Sequence, residues 1–426
     1  MAATTLLIVL TLICIGLFAT GIPVFLAFGA WGVGFSVIVG GFPLVNTSVV
    51  AYEQLNTFSF VAIPLFILLG SFINEFRISN EIIKWARSWG GWLPGSTANT
   101  AIYTSGVFAA ITGSNAATTA AVGEALTDDL EEEGYDPEFA AASIASGGTL
   151  GIIIPPSVLF IIYGITFSVS VSDLFLAGVI PGIMMMVGLS LTSSYISHKR
   201  GYGTVEYSFQ LSNIARATWE AKLAIGAIVV LLGGIYAGLY TPSESAAVAF
   251  LYIILVGLIT RRLTNPKQLL ASFENAIILI GMIIPVFVTA VMVQQGLSFI
   301  GLQDVLASAV ISLQHPWLIG AVMIVIMLIS GSVLSSVPNM ILVAPLLAPA
   351  ATQLGISPIM WGVIFMIGDA IGFITPPYGL NLFIISGLTG IEYTDVARAA
   401  LPYLGVLLLI WVAFFAFPEL NFLAPV

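Results

Sequence analysis

Charged residues are scarce in this sequence. Asp, Glu, Lys and Arg make up 8% of the 426 residues, whereas hydrophobic residues make up 59%. A soluble domain of this length needs a charged surface, so the composition excludes one and predicts a polytopic membrane protein. The formal net charge of −10 says little about partners, because the placement of Lys and Arg matters more than their sum in such a protein.

Cysteine and histidine are nearly absent as well. Cys14 is the single cysteine, so no disulfide can form within the chain, and we expect its thiol to pack or to face lipid. His198 and His315 flank apolar runs without paired ligands, which argues against a transition-metal site. No Walker motif is present, and no Ser/Lys or Asp dyad suggests an enzyme embedded in the membrane. We therefore expect neither enzymatic activity nor a nucleic-acid partner.

Two apolar stretches contain a double proline in the same context. Residues 147–157 read GGTLGIIIPPS and residues 368–378 read GDAIGFITPPY, so that Gly151 aligns with Gly372 and the prolines coincide. Proline removes a backbone donor and disfavours helix at the preceding residue, so each stretch predicts a broken helix. Two such breaks at matching positions in two halves indicate the binding site of a secondary transporter.

The apolar runs divide the chain into two halves with the same order of elements. We predict an all-α polytopic membrane protein with about ten spans and two re-entrant hairpins, which gives about five spans and one hairpin per half. The predicted boundaries are residues 1–200 for the first half, with its hairpin at 96–126 and its broken span at 139–167, residues 201–219 for a cytoplasmic connector, and residues 220–426 for the second half, with its hairpin at 315–350 and its broken span at 361–385.

Residues 96–126 are rich in Gly, Ser, Thr and Ala. Each side of Gly113 is long enough to reach only about halfway across a bilayer, so we interpret this stretch as a hairpin with its tip at residues 112–115. One continuous span that packs through small residues is the alternative. Outside the hairpins, residues 40–56 are predicted to form a loop and residues 128–138 a solvated acidic turn.

The positions of the eleven Lys and Arg residues indicate how the predicted spans are oriented in the membrane. If the N-terminus is placed outside, all of them fall on one side of the membrane, which the positive-inside rule makes cytoplasmic. Because each half has an odd number of spans, the second half is inserted in the opposite direction. The repeat is therefore predicted to be inverted, with a pseudo-two-fold axis in the membrane plane.

Both hairpin tips and both double-proline breaks are predicted to meet near the middle of the membrane. Broken helix ends present carbonyl oxygens that attract a cation and amide groups that attract a carboxylate. Sodium prefers oxygen ligands, so we predict about two sodium sites, one per half. The alternative for each hydroxyl is a hydrogen bond to its own helix. The candidate sodium ligands are Thr112, Gly113, Ser114, Asn115, Gly147, Gly148 and Thr149 in the first half, and Ser335, Ser336, Asn339, Gly368, Asp369 and Thr375 in the second.

Asp369 takes the position of Gly148 and is the only carboxylate predicted deep in a span. An ionisable group inside a membrane indicates function by default, so we expect a cation ligand or proton carrier; a structurally satisfied acid is the alternative. No arginine lies near the tips, so helix N-termini, sodium and hydroxyls would hold an anionic substrate. The candidate substrate-binding residues are Asn115, Thr118, Pro155, Pro156, Ser157, Ser332, Pro376, Pro377 and Asn381.

Four motifs resemble, in this order, those of the large membrane subunit of TRAP (tripartite ATP-independent periplasmic) transporters. They are GSNAATTAAVG at 113–123, GGTLGIIIPPS at 147–157, GLYTPSESAAVA at 238–249 and ITPPYGLNLF at 374–383. The resemblance covers essentially the whole chain. It implies a sodium-coupled importer of organic acids in the bacterial inner membrane that works by an elevator mechanism. The hairpins and broken spans would form the moving transport domain, and the other spans a scaffold.

The same resemblance implies two protein partners, a small four-span membrane subunit and a soluble periplasmic receptor that delivers the substrate. Sialic acid or a C4-dicarboxylate would be the substrate, with neither favoured strongly. Ser114 and Asn115 also resemble the tip of divalent anion:sodium symporters, although Ala116 stands where that family has threonine; Thr118 or Thr119 would substitute. A receptor-independent sodium/anion symporter of similar architecture is therefore the alternative.

Overall fold

The computed structural model describes residues 2–39, 43–75, 79–202, 210–261, 266–313 and 315–424, and these form helices and no strand. The α-helices are α1 (Ala2–Ala19), α2 (Val24–Val39), α3 (Leu44–Leu55), α4 (Ala62–Glu75), α5 (Ser79–Gly90), α6 (Ser96–Thr112), α7 (Asn115–Glu132), α8 (Pro137–Gly148), α9 (Val158–Phe167), α10 (Val171–Arg200), α11 (Leu211–Glu220), α12 (Lys222–Tyr236), α13 (Pro242–Ile259), α14 (Pro266–Phe299), α15 (Leu302–Ile311), α16 (Pro316–Val333), α17 (Ser336–Gln353), α18 (Pro358–Gly372), α19 (Leu380–Thr389) and α20 (Tyr393–Ala416).

Several of these helices could cross a membrane. Among the described residues, α10, α13, α16, α20 and residues 269–299 of α14 are long and apolar enough, and two bent helix pairs raise the number from five to seven. Most of the remaining predicted spans correspond to shorter apolar helices, including α1, α2, α9, α18 and α19. The broken helices fall below the length of a full span because non-helical residues divide them.

The helix is interrupted at both double prolines. α8 ends at Gly148, a 3₁₀ turn follows, and α9 starts at Val158, whereas α18 ends at Gly372 and α19 starts at Leu380. The peptide bonds Pro155-Pro156 and Pro376-Pro377 are both cis. Each interruption leaves backbone groups outside a helix in the middle of an apolar run, where only other parts of the protein or a polar cavity can satisfy them.

Two helix pairs have very short connections. α6 and α7 pack against each other and are joined only by Gly113 and Ser114, and α16 and α17 are joined by Leu334 and Ser335. Gly113 ends α6 in the left-handed conformation with φ 58°, and the Ser114 hydroxyl accepts a hydrogen bond from Ala117 N at 3.4 Å. The chain therefore reverses direction at this tip, and a continuous helix through residues 96–126 is excluded.

Helices occur in two stretches predicted as a loop and a turn, and also in the predicted connector. Residues 40–56, predicted as a loop, include α3, and the connector at 201–219 includes most of α11. The acidic turn at 128–138 begins inside α7, which continues to Glu132 because Leu126 and Leu130 bury the same helix face four residues apart. Amphipathic spacing thus extends or creates helices where local composition favours turns.

The helices pack into two bundles. α6–α10 and α16–α20 contact one another and are called here the hairpin bundle; α1–α4 and α12–α14 contact one another and are called the flanking bundle. The bundles meet chiefly where α4 packs on α6 and α9 and where α14 packs on α17. Buried tryptophans hold the hairpin bundle together, since Trp361 Nε1 donates to Ala344 O at 3.1 Å and Trp411 Nε1 donates to Ile364 O at 2.8 Å.

Candidate functional site

A cavity of about 550 Å³ lies where the two bundles meet. Both hairpin tips form its wall, through residues 112–117 and 335–337, as do residues on either side of the two helix breaks. The flanking bundle closes the opposite side through Phe66, Ile67, Gly70 and Ser71 of α4 and Asn275, Leu279, Met282, Ile283 and Val286 of α14. The volume lies in the range of small-molecule sites. The structure thus brings all four interrupted elements to one cavity.

The wall of this cavity has no charged side chain among its described residues. Its polar side chains are hydroxyls and amides, namely Ser71, Thr112, Ser114, Asn115, Asn275, Ser335 and Ser336. The N-termini of α7 and α17 also reach the wall, and the amide groups of a helix N-terminus carry partial positive charge. An anion in this cavity would therefore be recognised by helix ends and neutral donors rather than by arginine or lysine.

Polar atoms without partners mark the first hairpin tip. Asn115 is 1% exposed, and within the described part of the chain neither its side-chain nitrogen nor its oxygen has a hydrogen-bond partner. The buried Ser157 hydroxyl also lacks one. The first tip and Ser157 lie close together, because a Cβ atom placed on Gly113 would be 3.5 Å from Ser157 Cα. Buried polar groups are normally paired, so this cluster indicates a site for a ligand, ion or water.

The second half has a matching cluster around Asp369. This carboxylate is 1% exposed, and its Oδ1 accepts a hydrogen bond from Asn339 Nδ2 at 2.7 Å. Its other oxygen and the Asn339 side-chain oxygen have no hydrogen-bond partner among the described residues, and the Ser336 hydroxyl lies beside the same carboxylate. A buried carboxylate is costly unless a cation or several donors compensate it. Three oxygens of this kind in one place are the ligand type of a hard cation.

The two aligned glycines allow each hairpin to approach its broken helix. A Cβ atom on Gly151 would lie 2.7 Å from Asn115 N at the first tip, and one on Gly372 would lie 2.8 Å from Gly331 Cα in the second hairpin. Both neighbours are backbone atoms that cannot rotate away. Gly151 and Gly372 therefore have equivalent packing roles in the two halves, and no other residue fits without displacing a hairpin.

Several predicted hydroxyl ligands donate their proton within their own helix. Thr149 donates to Ser146 O at 2.7 Å, Thr375 to Ile371 O at 2.8 Å and Ser332 to Ile329 O at 3.0 Å. This is the alternative that the sequence left open for each hydroxyl. Their lone pairs stay available to a cation. At the first tip, the hydroxyls of Thr112 and Thr118 are hydrogen-bonded to each other at 2.8 Å.

The remaining predicted residues lie behind the cavity wall or away from it. Gly147 packs against Ser105, and Gly148 against Thr119, while Gly368 packs against Trp411. Asn381 Nδ2 donates to Ala145 O at 3.0 Å, which links the two broken helices across the halves. The two double prolines differ in exposure. Pro155 and Pro156 are buried beneath the first tip, whereas Pro376 and Pro377 are exposed. Pro377 O accepts a hydrogen bond from the Tyr393 hydroxyl at 2.9 Å.

The sequence did not single out the residues of α4 and α14 that line the cavity. Ser71 and Asn275 are polar residues there, and the Ser71 hydroxyl donates to Ser272 O at 2.8 Å. Only their polarity within apolar runs could have indicated them. Their role depends on how the flanking bundle packs against the hairpin bundle. The local sequence pattern of α4 or α14 does not contain that information.

A helical membrane protein with two hairpins and two broken helices around one uncharged cavity has the features of a transport protein. Residues 11–420 match the family described as the tripartite ATP-independent periplasmic transporter, DctM component. The chain therefore belongs to the TRAP transporter large permease family, as its motifs predicted. It is a multi-pass membrane protein and a transport component, not an enzyme.

Curated relatives support this assignment. The chain is 34% identical over 382 residues to the C4-dicarboxylate TRAP transporter large permease protein of Pseudomonas aeruginosa, with 88% of each chain covered. It is 29% identical over 416 residues to the sialic acid TRAP transporter large permease protein of Vibrio cholerae, with 94% of this chain and 96% of that one covered. It is 31% identical over 389 residues to the isethionate TRAP transporter permease protein of Oleidesulfovibrio alaskensis, where 91% of this chain spans 61% of that relative.

A solved structure shares the fold. The YdaH transporter of Alcanivorax borkumensis, reported to have an unusual topology, superposes with a TM-score of 0.63 over 90% of each chain at 15% identity. At this identity the likeness concerns the architecture of the helices and says nothing of substrate.

Proposed function

We propose that this chain is the permease of a sodium-coupled importer that carries an organic anion across the bacterial inner membrane. The observation that carries the proposal is the pair of buried, unsatisfied oxygen clusters, around Asn115 and around Asp369, beside a cavity formed by both hairpin tips. Named relatives handle a C4-dicarboxylate, sialic acid or isethionate, all of them small organic acids. A small membrane subunit and a periplasmic receptor complete the proposed system.

The substrate anion would bind in the cavity between the tips. Its acidic group would face the N-termini of α7 and α17, where amide groups and the helix dipoles favour negative charge. The Asn115 amide, buried and without a described partner, would donate to the same group. Ser71 and Asn275 would contact the remainder of the substrate from the flanking bundle. A sugar acid such as sialic acid and a C4-dicarboxylate are both compatible with this uncharged lining.

Sodium would occupy about two sites, one behind each tip. In the second half, the free oxygens of Asp369 and Asn339 supply ligands, with backbone carbonyls near Gly368 completing the shell. In the first half, the Asn115 side chain and carbonyls near the first break have this role. Bound sodium would neutralise Asp369 and fix both tips, so that the anion binds well only when the cation is present. This dependence would couple import to the sodium gradient.

We propose that transport proceeds as an elevator. The hairpin bundle would slide along α4 and α14 while the flanking bundle stays as a scaffold, and the cavity between them would open to each side in turn. The two halves would be inverted repeats of about five spans and one hairpin, with a periplasmic N-terminus and a cytoplasmic connector.

Uptake into proteoliposomes tests this proposal. The chain is reconstituted with its small subunit, and labelled sialic acid, succinate and isethionate are offered with and without an inward sodium gradient and the soluble receptor. We expect one acid to enter only when both sodium and receptor are present. Sodium-dependent uptake without the receptor would instead identify a free-standing sodium/anion symporter. Uptake at the same rate with and without the sodium gradient would overturn the coupling mechanism.

A further inference from the structure

A second cavity, of about 630 Å³, lies where α5, α7 and α11 meet, outside the site described above. Lys84 and Arg87 of α5 and Arg216 of α11 line it together with Asp129 and Glu220. Cationic side chains thus outnumber anionic ones in its lining. The rest of the lining is partly apolar and includes Ile83, Trp92, Ala125, Leu126 and Ala217. The lining therefore combines charged side chains, with cations in excess by one, and apolar side chains.

The helices around this cavity place it at the level of the membrane surface. α11 meets the apolar helix α12 at an angle of 80°, so α11 lies across the end of a helix that enters the membrane. α5 packs along α11, and Trp85 Nε1 donates to Thr218 Oγ1 at 2.9 Å. Trp219 is 70% exposed, and the Lys222 ammonium lies 4.1 Å from the centre of its ring. Exposed tryptophan beside lysine is typical of a helix at the membrane interface.

The three cations of the lining differ in their ion-pair partners. Arg87 pairs with Asp129 of α7 at 3.1 Å, and Arg216 pairs with Glu220 on its own helix at 3.3 Å. Lys84 has no hydrogen-bond or ion-pair partner in the described part of the chain and is exposed. Its ammonium is therefore available to an anion, and the Arg216 guanidinium, with 83% of its side chain exposed, can turn to the same group.

We propose that this cavity binds the headgroup of an anionic phospholipid. The phosphate would lie between Lys84 and Arg216, because an ammonium and a guanidinium are the side chains that bind phosphate most strongly. The acyl chains would extend along the apolar side chains of the lining and past Trp89 of α5, whose side chain is 44% exposed. A soluble phosphate would make no use of that apolar part, which favours the lipid. Such a lipid would connect α5 and α11 with the hairpin helix α7 through the Arg87–Asp129 pair.

Lipid binding to the purified protein tests this inference. The protein in neutral detergent is titrated with phosphatidylglycerol or with zwitterionic phosphatidylethanolamine, and bound lipid is counted by native mass spectrometry. We expect phosphatidylglycerol to be retained preferentially. The double variant Lys84→Ala/Arg216→Ala should bind it roughly thirtyfold more weakly, since each cation near a lipid surface contributes on the order of a tenfold smaller dissociation constant or somewhat less. The double variant Lys199→Ala/Arg398→Ala, which removes two cations elsewhere, should bind it normally.

Three outcomes of these measurements would contradict the assignment of the cavity to an anionic phospholipid. Equal retention of the two lipids, or unchanged binding in the Lys84→Ala/Arg216→Ala variant, would overturn the proposal. Competition by inorganic phosphate at millimolar concentration would overturn it too, because the site would then recognise a soluble anion. If the alanine variant fails to fold, the charge-conserving Lys84→Arg/Arg216→Lys variant replaces it. That variant should keep the preference for phosphatidylglycerol. If the folded variant loses this preference, the site does not recognise the lipid through the positive charges at residues 84 and 216.

Discussion

At the scale of single residues, Asp369 is where sodium dependence should be most sensitive. Its carboxylate has one hydrogen bond, from Asn339, and one oxygen without a described partner. Asp369→Asn keeps the shape and the contact with Asn339 but removes the charge that a cation needs. A lost charge-assisted contact is worth about 1.5–3 kcal/mol, so the half-saturating sodium concentration for uptake should rise by about ten- to a hundredfold.

Asp395→Asn is the matched control for this prediction. It makes the same chemical change at a half-exposed carboxylate that pairs with Arg398 on the same helix at 3.5 Å, and surface pairs of this kind contribute little. Its sodium dependence should equal that of the wild type. If the Asp369→Asn transporter is produced in normal amounts and its sodium activation is unchanged, Asp369 is not a ligand.

Gly151 offers a second prediction at this scale. Alanine there would place a methyl group 2.6 Å from Ser114 C and 2.7 Å from Asn115 N, so the first tip must shift. Overpacking of this kind costs about 1–3 kcal/mol, and the displaced tip should reduce uptake by about tenfold or more. Thermal unfolding and uptake are measured together. Gly387→Ala, where no heavy atom beyond its own stretch of helix lies within 4 Å of the new methyl group, should keep uptake and should not lower the unfolding temperature. Equal behaviour of the two variants would contradict the packing role.

At the scale of elements, the breaks were predictable and their surroundings were not. Proline and glycine act on their own backbone, so the interruptions after Gly148 and Gly372 and the turn at Gly113 could be inferred from local chemistry. The helices α3 and α11 were not predicted because they are short, with 12 and 10 residues, and lie beside much longer apolar runs. The contribution of Ser71 and Asn275 to the cavity depends on contacts between bundles, which separate stretches of sequence do not reveal.

The contact between α4 and the first hairpin allows a test of motion. A Cβ atom on Gly70 would lie 2.9 Å from Ile111 O and 3.8 Å from Thr112 Cα, so a side chain there presses on the first hairpin and lies within reach of a disulfide to residue 112. In a Cys14→Ala background, the pair Gly70→Cys/Thr112→Cys should cross-link on oxidation. If the hairpin bundle slides along α4, oxidation should reduce uptake by about tenfold or more and a reductant should restore it.

Comparison of each variant before and after oxidation removes the direct effect of the substitutions. The single variants Gly70→Cys and Thr112→Cys should be insensitive to the oxidant. Full uptake by the cross-linked protein, with cross-linking shown by a shift on a denaturing gel, would mean that α4 and the hairpin stay together during transport. The elevator proposal would then be wrong, while the cavity and its polar clusters would remain.

At the scale of the whole molecule, the proposed inverted repeat would determine how the chain lies in the membrane. The chain has eleven Lys and Arg residues, and the proposed topology puts all of them on the cytoplasmic side, as the positive-inside rule requires. Two exposed serines lie on opposite sides in this arrangement, Ser212 in α11 and Ser312 just after α15. Neither lines the cavity between the bundles, so cysteine at either position should leave transport intact.

Labelling of single cysteines in intact cells tests the arrangement. In the Cys14→Ala background, a membrane-impermeant maleimide should react with Ser312→Cys from outside and should reach Ser212→Cys only after the inner membrane is opened. A parallel, non-inverted repeat requires both positions to react on the same side, because the second half would then enter the membrane in the same direction as the first. Since the sodium sites are proposed as one per half, related by the same axis, that result would also remove the reason to expect two equivalent sites.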